Sequence, residues 1–540
     1  MKKNYKVVIL TAGRGERLQP ETNYYNKALI TIGNKTALSK IIELFDDDVE
    51  IVLANNYKAD TIKDFVEIAY PDRNFTYVEV DNIGQGYGPG YALLKCEEYL
   101  QCPFYFFTCD TLIDKEDLLD LENNWVGIRE AEGSHTFYSK VIAEGEDFGK
   151  GDAKRLIHGI MKAKSYSWSS DVNKDTYAFI GCAGIRDYKQ YFKNLKESKL
   201  IRNEIQILSG FVGLTTDAKL CYSWQDVGTR ESLEKARKSV NDVNPFRKMD
   251  EFTVEADNKI IKFNANKKWI SDRLIRSKIL NKLVPESKVR GSFLYYDKVD
   301  GELLSNLLNE KLDTVLFIKF LNWCSENLWI DIIIDEDLMK ETAAEFYYFK
   351  TLERMKQLYS TTDIKDGQDV INGVKTRHLE QLLDLVKPHL IYMLPKTFHG
   401  DLHIGNVIID KDKKFHLIDW RQNMNGRIDI GDMYYDLAKM LHAFILPHKS
   451  LSKGKFVVDK TINGHIWYGY DENDILKEYA KQLEWFAIRE GLDWSRVELL
   501  TAIVYINMSP LHPSPYRELL YYLGKRKLHK WVEKHYESNN

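Results

Sequence analysis

Through its first 240 residues the chain alternates short apolar runs with stretches whose apolar positions recur three and four apart. The runs KVVILTAG, VEIVLAN, FTYVEV, PFYFFTC and YAFIGCAGI have the length and the β-branched or aromatic content of strands. Between them, ALSKIIELF, TIKDFVEIAY and YALLKCEEYL carry helical spacing. Such alternation predicts an α/β domain with a mostly parallel sheet and helices on its faces. The helical ESLEKARKSV closes it, and NDVNPFRKMDE reads as a linker.

Beyond the linker the pattern changes. EFTVEA and NKIIKF read as paired strands, a helical stretch follows near 268–284, and SFLYYDKV reads as another strand. Long helical patterns then dominate, TVLFIKFLNWCSENL and ETAAEFYYFKTLERMKQLY among them, broken by one strand-rich island, TFHGDLHIGNVIIDKDKKFHLIDW. The expected organisation is a first domain over 1–240, a linker over 241–251, and a second domain over 252–540. At 540 residues and 44% apolar content each part can bury its own core.

Lys and Arg total 76 against 80 for Asp and Glu, a net charge of −4, which argues against a nucleic-acid binder with its basic face. Cys96, Cys102, Cys109, Cys182, Cys221 and Cys324 form no paired or metal-ligand spacing, the pattern of thiols in a reducing compartment. Gly13-Arg14-Gly15 follows the N-terminal apolar run at once, so that run reads as a strand and not a signal peptide. No stretch reaches the roughly 18 apolar residues of a membrane span. A cytoplasmic protein is expected.

The segment LTAGRGERLQPETNYYNKALITIG ends a strand at Leu10 and turns through Ala12, Gly13, Arg14 and Gly15. Glycines let backbone N–H groups approach a phosphate, and Arg14, Arg17 and Lys27 can neutralise a triphosphate. The ordered set Gly-x-Gly-x-Arg-Leu-x-Pro-x-Thr, followed by Lys27-Ala-Leu, resembles the nucleotidyltransferases that make sugar nucleotides and CDP-alcohols. That resemblance implies a Rossmann-like sheet with Lys27 and Arg17 as catalytic cations. It also implies Mg2+ held by Asp110, at the end of PFYFFTCD, and by Asp226 in an Asp-x-x-Thr stretch, with Thr229 as its last residue. Gly88-Pro89-Gly90 stands where the family carries Gly-Thr-Ala beside the base, and Asn26 stands where its sugar-specific members carry proline. The first departure leaves the base open; the missing proline and the resemblance to the cytidylyltransferase branch favour CTP, ahead of UTP, as the nucleoside triphosphate. Lys162 is a secondary candidate for a phosphate contact.

His399-Gly400-Asp401-Leu402-x-x-x-Asn406 follows the kinase catalytic-loop template with glycine in place of arginine, and a hairpin then leads to Asp419. In that template the first Asp orients and deprotonates the attacking hydroxyl, while the Asn and the later Asp hold Mg2+ on the phosphates of ATP. Gly400, and Trp420 after Asp419, make the stretch resemble the aminoglycoside phosphotransferase and choline kinase group, implying a bilobal, protein-kinase-like α+β domain. By the same resemblance Asp401 is catalytic, Asn406 and Asp419 are metal ligands, Asp436 is structural, and Lys262 is the small-lobe lysine on the nucleotide. His399 and His403, four apart, would suit zinc only on a helix, which Gly400 and Gly405 oppose.

The two resemblances together imply a bifunctional enzyme. A small alcohol (choline-like, a sugar or a polyol) is phosphorylated with ATP, and the resulting phosphomonoester accepts a nucleotidyl group, CMP favoured, with release of pyrophosphate, for surface-polysaccharide precursors. Trp485, Trp494, Tyr516, Asp493 and Glu484 are the aromatic and acidic residues that a choline cage could draw on. The alternatives are a sugar-1-phosphate nucleotidyltransferase using UTP or dTTP with a regulatory kinase-like domain, and a kinase with a degenerate first domain.

Overall fold

The computed structural model describes residues 4–81, 87–130, 138–144, 159–169, 175–242, 247–447, 451 and 454–537; the linker positions 243–246 lie outside them. By packing, the chain forms two compact units. One takes in Met1–Val243, Lys248–Ala265 and Arg290–Tyr295; the other takes in Asn266–Val289 and Tyr296–Asn540.

The first unit is built on a nine-stranded sheet. Its strands are β1 (Lys6–Leu10), β2 (Ile51–Asn55), β3 (Phe75–Glu79), β4 (Phe104–Thr108), β5 (Asn124–Glu130), β6 (Lys140–Glu144), β7 (Ile160–Ser167), β8 (Thr176–Ile185) and β9 (Thr216–Leu220). They lie in the order 3-2-1-4-8-5-9-7-6. Strands β3, β2, β1 and β4 are mutually parallel, as the apolar runs predict. Beyond β4 the sheet turns mixed: β8 pairs antiparallel with β4 and β5, and β9 runs parallel to β5. Helices α1 (Ala59–Ala69), α2 (Gly88–Lys95), α3 (Tyr188–Glu197) and α4 (Arg230–Ser239) supply the flanking layers. Central strands are buried on both faces, so Val7 and Ile9 enter one core while Val8 and Leu10 enter the other.

The strands that follow the linker, β10 (Glu251–Ala256) and β11 (Lys259–Asn264), pair antiparallel as expected. Together with Phe293 in β12 (Phe293–Asp297), their inward residues Phe252, Val254, Ala256, Ile261 and Phe263 share a core with Val7, Tyr25 and Phe65. The Tyr25 ring stands edge-on to Phe252 and Phe263, with centroids 4.9 and 5.3 Å away. By packing, this small sheet belongs largely to the first unit.

The second unit is mostly helical. It comprises α5 (Lys267–Leu280), α6 (Thr314–Asn327), α7 (Glu336–Ala343), α8 (Lys350–Thr361), α9 (Leu379–Leu390), α10 (Met433–Ile445), α11 (Asp474–Arg489), α12 (Trp494–Met508) and α13 (Tyr516–Val532). A π-helical segment, Ala344–Phe349, joins α7 to α8 without a break. The strand-rich island forms the hairpin β13 (Val407–Ile409) and β14 (Phe415–Leu417), with Val407 opposite Leu417. No helix among the described residues is long and apolar enough to cross a membrane.

Candidate active sites

In the first unit the loop after β1 folds back on itself. The Asn26 side chain donates to the carbonyls of Thr11 (2.8 Å) and Tyr57 (2.6 Å) and accepts the Ala28 N–H (2.9 Å). Thr22 Oγ1 donates to the Gly15 carbonyl at 3.0 Å. Gly15 has a left-handed φ of 65°, and a Cβ there would fall 2.8 Å from Cβ of Lys27 and 2.9 Å from Cγ2 of Thr22. The glycine therefore allows the loop to close over Lys27. Asn26 is wholly buried in this fastening role, a structural reason for asparagine before Lys27 that is independent of the base.

Lys27 Nζ donates to Asp110 Oδ2 at 2.9 Å. Burial would push the ammonium down, but the Asp110 carboxylate outweighs it and Lys27 stands above its ordinary value. For Asp110, burial acts upward and Lys27 more than offsets it, leaving the carboxyl below its usual range. Both groups stay charged. A short antiparallel pairing sets Asp226 opposite Thr111, and Val227 N–H donates to the Asp110 carbonyl at 3.0 Å. The two carboxylates thereby face one gap: a Cβ on Gly228 would lie 3.0 Å from Asp110 Oδ2 and 3.1 Å from Asp226 Oδ1. Thr229 caps α4 through Ser232, which accounts for the last residue of the Asp-x-x-Thr stretch.

Asp110, Asp226, Arg17 and Pro89 line a cavity of about 960 Å³ together with Thr108, Thr111 and Tyr138. Gly13 lies against Lys27, with its open side 3.4 Å from Cε. Gly88 opens α2, directly before Pro89. Ala12 is buried, and its carbonyl accepts the Tyr57 N–H at 3.4 Å. Arg14 is exposed and is not among the residues lining the cavity. Lys162 is held by Asp217 in a strand-to-strand ion pair. Tyr138 escaped the sequence reading. Burial, then the charges of Asp226 and Asp110, push its hydroxyl well above the ordinary tyrosine value, so it stays protonated beside the carboxylates.

An oxygen-seeking divalent cation fits this gap. Two carboxylates converge beside Gly228, whose lack of a side chain leaves room between them, and Mg2+ characteristically takes one or two carboxylates plus substrate phosphates. Asp110 and Asp226 would hold it, and it would neutralise phosphate charge.

In the second unit the loop 399–406 hangs on Asp436 of α10. Its carboxylate accepts the backbone N–H groups of His399 (2.8 Å) and Gly400 (2.7 Å) and Trp329 Nε1–H (3.1 Å). Burial pushes this carboxyl up to about 7 against those three donors. Asp436 is thus the loop's anchor. His399 joins the loop to the hairpin's end: its Nε2 lies 2.8 Å from the Ile418 carbonyl, and its Nδ1 accepts the Asp401 N–H at 3.2 Å. Those partners define a neutral Nε2–H tautomer, and burial holds the ring down to about 3.

Asp401 pairs with Lys439 of α10 at 2.8 Å. Burial would raise the Asp401 carboxyl, but Lys439, with His403 and His399 behind it, holds it far below the usual range. Asn406 Nδ2 donates to the Asp401 carbonyl at 2.9 Å, and Ile418 N–H donates to the Asn406 carbonyl at 2.9 Å. Asp401, Asn406 and Asp419 thus meet at one end of the β13–β14 hairpin. Asp419 has a left-handed φ of 61°, and Arg273 of α5 lies 3.1 Å from its Oδ1. Asn406 and Asp419 offer the oxygen donors a Mg2+ ion accepts and would hold it against nucleotide phosphates, with Arg273 as the resident countercharge. The loop is not helical at His399 or His403, and His403 Nδ1 accepts the Gly405 N–H at 3.1 Å. Among the described residues no group of three His, Cys, Asp or Glu side chains is placed to hold a metal, so the zinc alternative finds no support.

Lys262 is buried on β11 opposite Thr253, within the first unit. The choline-cage residues do not converge. Trp494 opens α12 and Tyr516 lies beyond its far end, after a helix of 15 residues, about 22 Å long. Trp485 is half exposed under Arg489, and Tyr516 packs on His512.

In its N-terminal region the chain is similar to the Bifunctional protein GlmU of Methanocaldococcus jannaschii, 26% identical over 244 residues, 44% of this chain and 54% of that protein. The corresponding protein of Methanococcus vannielii is 29% identical over 232 residues, 41% of this chain and 51% of the relative. The chain thus spans about half the length of the curated relatives it matches. Among solved structures, a UDP-glucose pyrophosphorylase complexed with UDP-glucose matches 45% of this chain and 100% of its own at 19% identity, with a TM-score of 0.38. A glucose-1-phosphate thymidylyltransferase from Bacillus anthracis matches 45% and 98% at 20% identity, with a TM-score of 0.35. Residues 341–452, which contain Asp401, Asn406, Asp419, Asp436 and Lys439, match the family model described as the Phosphotransferase enzyme family.

Proposed function

We propose that the chain carries two transferase activities in series, small-alcohol phosphorylation followed by nucleotidyl transfer, the second yielding a surface-glycan precursor. The observation that carries this reading is that each unit has its own constellation of carboxylate and cation. Lys27, Asp110 and Asp226 meet in one, and Asp401, Asn406, Asp419 and Lys439 in the other.

In the second unit Asp401, kept ionised by Lys439, accepts the hydrogen bond of the acceptor hydroxyl and aims it at the γ-phosphorus of ATP. The new O–P bond forms as the β–γ bridging P–O bond breaks, ADP leaves, and the hydroxyl proton passes to Asp401 late in the transfer. Asn406 and Asp419 would hold a Mg2+ ion, which would neutralise charge on the nucleotide phosphates.

In the first unit a phosphate oxygen of the new phosphomonoester attacks the α-phosphorus of the second nucleotide, and the α–β bridging bond breaks to release pyrophosphate. A phosphomonoester is already a nucleophile at neutral pH, so Lys27 and Arg17 serve by position and charge, not as bases. Backbone at Ala12, Gly13, Arg14 and Gly15 cradles the triphosphate, and Gly88 borders the base. CTP is the proposed donor on the resemblance of the loop to the cytidylyltransferase branch; the fastening role of Asn26 removes the missing proline as an argument. The domain boundary at 241–251 is proposed on composition. Both steps use cytoplasmic nucleotides, which agrees with a cytoplasmic setting.

One observation favours the second reading, a kinase-like part that only binds nucleotide: Arg273 stands against Asp419, the metal-binding carboxylate. The test is a matrix of nucleoside triphosphates against small alcohols and their phosphates, with product masses recorded. The proposal expects ADP and R–phosphate from ATP and one alcohol class, then a CMP adduct of R–phosphate. A nucleotidyl adduct without phosphorylation of any alcohol would favour the second reading, and ATP or GTP as nucleotidyl donor would refute CTP.

A further inference from the structure

The acceptor alcohol was left open above, and the surroundings of Asp401 bear on it. Four cations from three segments act on one another beside the catalytic loop: Lys350 and Arg354 from α8, Arg421 from the stretch after the hairpin, and Lys439 from α10. Lys439 pairs with Asp401. Arg421 packs its stem on Gly400, the neighbour of Asp401, and a Cβ there would lie 2.5 Å from Arg421 Cβ. The guanidinium of Arg421 lies 5.0 Å from the Phe346 ring and 5.9 Å from that of Tyr435. Lys350 Nζ stands 3.6 Å over the same Phe346 ring. Phe346 and Tyr435 meet edge-on at 5.0 Å, so the two rings tie Lys350 and Arg421 into one patch, with Arg354 and Lys439 close enough to act on Lys350.

The carboxylates that act most on Lys350, Arg354 and Lys439 are few: Asp401, already paired with Lys439, and Glu353, a lesser influence on Arg354. Arg354 spends one guanidinium nitrogen on the Asn507 carbonyl at 2.7 Å. Among the described residues Lys350 has no ion pair and no hydrogen bond, only the ring beneath it. All four cations are half-buried, so the patch reaches the surface beside the catalytic loop. Burial, then the charges of Arg421, Arg354 and Lys439, push Lys350 well below its ordinary value, the response of a cation set among cations. The π-helical segment Ala344–Phe349 ends directly at Lys350. Such a segment shifts the register of everything after it, and short π stretches are frequent at functional sites.

Resting on the phosphotransferase reading of this unit, we propose that the alcohol phosphorylated at Asp401 carries an anionic group, a carboxylate or a phosphate, seated on Lys350, Arg354 and Arg421. A cation such as choline would meet like charge on that side. A neutral polyol would leave the desolvated cations without countercharge. An anion of the same chemistry could instead come from the transferring phosphate of ATP, and the experiment separates the two sources.

The full-length chain is saturated with a non-hydrolysable ATP analogue and Mg2+, then titrated calorimetrically with inorganic phosphate. A Lys350→Met/Arg354→Met variant is treated identically. The proposal expects at least a tenfold loss of phosphate affinity at one site, with affinity for the analogue unchanged. It also expects an unchanged or raised thermal midpoint, because unpaired half-buried cations give way to apolar side chains. In turnover, ADP release is compared for glycerol, choline, glycerate and glycerol 3-phosphate. Any acceptor found must be one of the anionic alcohols, with its KM raised in the variant. Identical phosphate isotherms for the two proteins would overturn the proposal. Loss of analogue affinity in their place would assign the patch to ATP, and turnover of choline or glycerol over their anionic partners would also overturn it. Lack of ADP release with every alcohol would count against the phosphotransferase reading, while the phosphate isotherms would still decide the anion site.

Discussion

His399 shows how one side chain sets a measurable property of the catalytic loop. In the folded chain burial holds its imidazole neutral down to about pH 3, whereas an unfolded histidine takes a proton near about 6.5. Its contribution to stability is therefore fully present above about 6.5 and drains away as the pH falls toward 3. The buried His442, also held well below its ordinary value by burial, acts in the same direction. The Asp436 carboxyl, pushed up to about 7 by burial, takes up a proton in the same window and works against that loss, so the histidine share is read from the difference between the native chain and a histidine variant. The thermal midpoint of the second unit should fall on acidification from pH 7 to 5. His399→Asn, whose amide oxygen can still accept the Asp401 N–H, should make that fall clearly smaller; an equal fall in both proteins would contradict the assignment. Asp436→Asn should act differently. It keeps the volume but turns an amide N–H toward a backbone donor, costing roughly 1–3 kcal/mol. Phosphoryl transfer should drop sharply and pyrophosphate release should stay intact, and retained phosphorylation would show that the loop does not depend on this anchor. At this scale the sequence was partly legible. Asp401, Asn406 and Asp419 stand out by spacing, and Asp436 follows in the next helix. Lys439 was accessible too, one helical turn after Asp436, but helical lysines are mostly solvated and only the fold shows this one turned onto Asp401. Tyr138 carried no signal, because it reaches the carboxylates through tertiary packing.

Among elements, α4 is joined to the loop after β1 by a buried ion pair. Arg237 Nη1 and Nη2 each lie 2.9 Å from a carboxylate oxygen of Glu21, and Arg237 Nε donates to the Thr31 carbonyl at 3.0 Å. Removing one partner strands the other charge in the interior, a loss of about 3–5 kcal/mol. Glu21→Gln should therefore lower the thermal midpoint of the first unit and loosen the loop that carries Lys27, read as a reduced rate of pyrophosphate release. An unchanged midpoint would mean that the pair contributes nothing to the fastening. Strands β1, β2, β4 and β8 were legible because each is a continuous apolar run buried on both faces, and the edge strand β3, mostly half-buried, through its aromatic and β-branched residues. Strands β5, β6, β7 and β9 were not, since NWVGIRE and TDAKL carry polar residues such as Asn124, Asp217 and Lys219 at positions that are nonetheless buried. The hairpin β13–β14 was legible through its KDKK turn. The π-helical segment was not, because a single-residue register shift leaves the apolar periodicity of ETAAEFYYF almost unaltered.

For the whole molecule, composition and periodicity separate an α/β part from a mostly helical part, and both are found. They do not reveal where the small sheet packs. EFTVEA and NKIIKF read as the opening strands of the second domain, yet Phe252, Phe263 and Phe293 bury their rings in the core that holds Tyr25 and Phe65. Burial of a strand's apolar face is non-directional, so sequence alone cannot say which neighbour covers it. The central claim is that two complete and independent sites share one chain, and paired single substitutions test it most directly. Asp110→Asn and Asp401→Asn would be purified as full-length proteins and assayed for ADP release and, with phosphorylated acceptor supplied, for pyrophosphate release. Loss of a metal-binding or hydroxyl-orienting carboxylate should cost on the order of 10²-fold or more. The account predicts that Asp110→Asn loses pyrophosphate release and keeps ADP release, and that Asp401→Asn does the reverse. Loss of both releases from one substitution, in a protein still folded by circular dichroism, would contradict it.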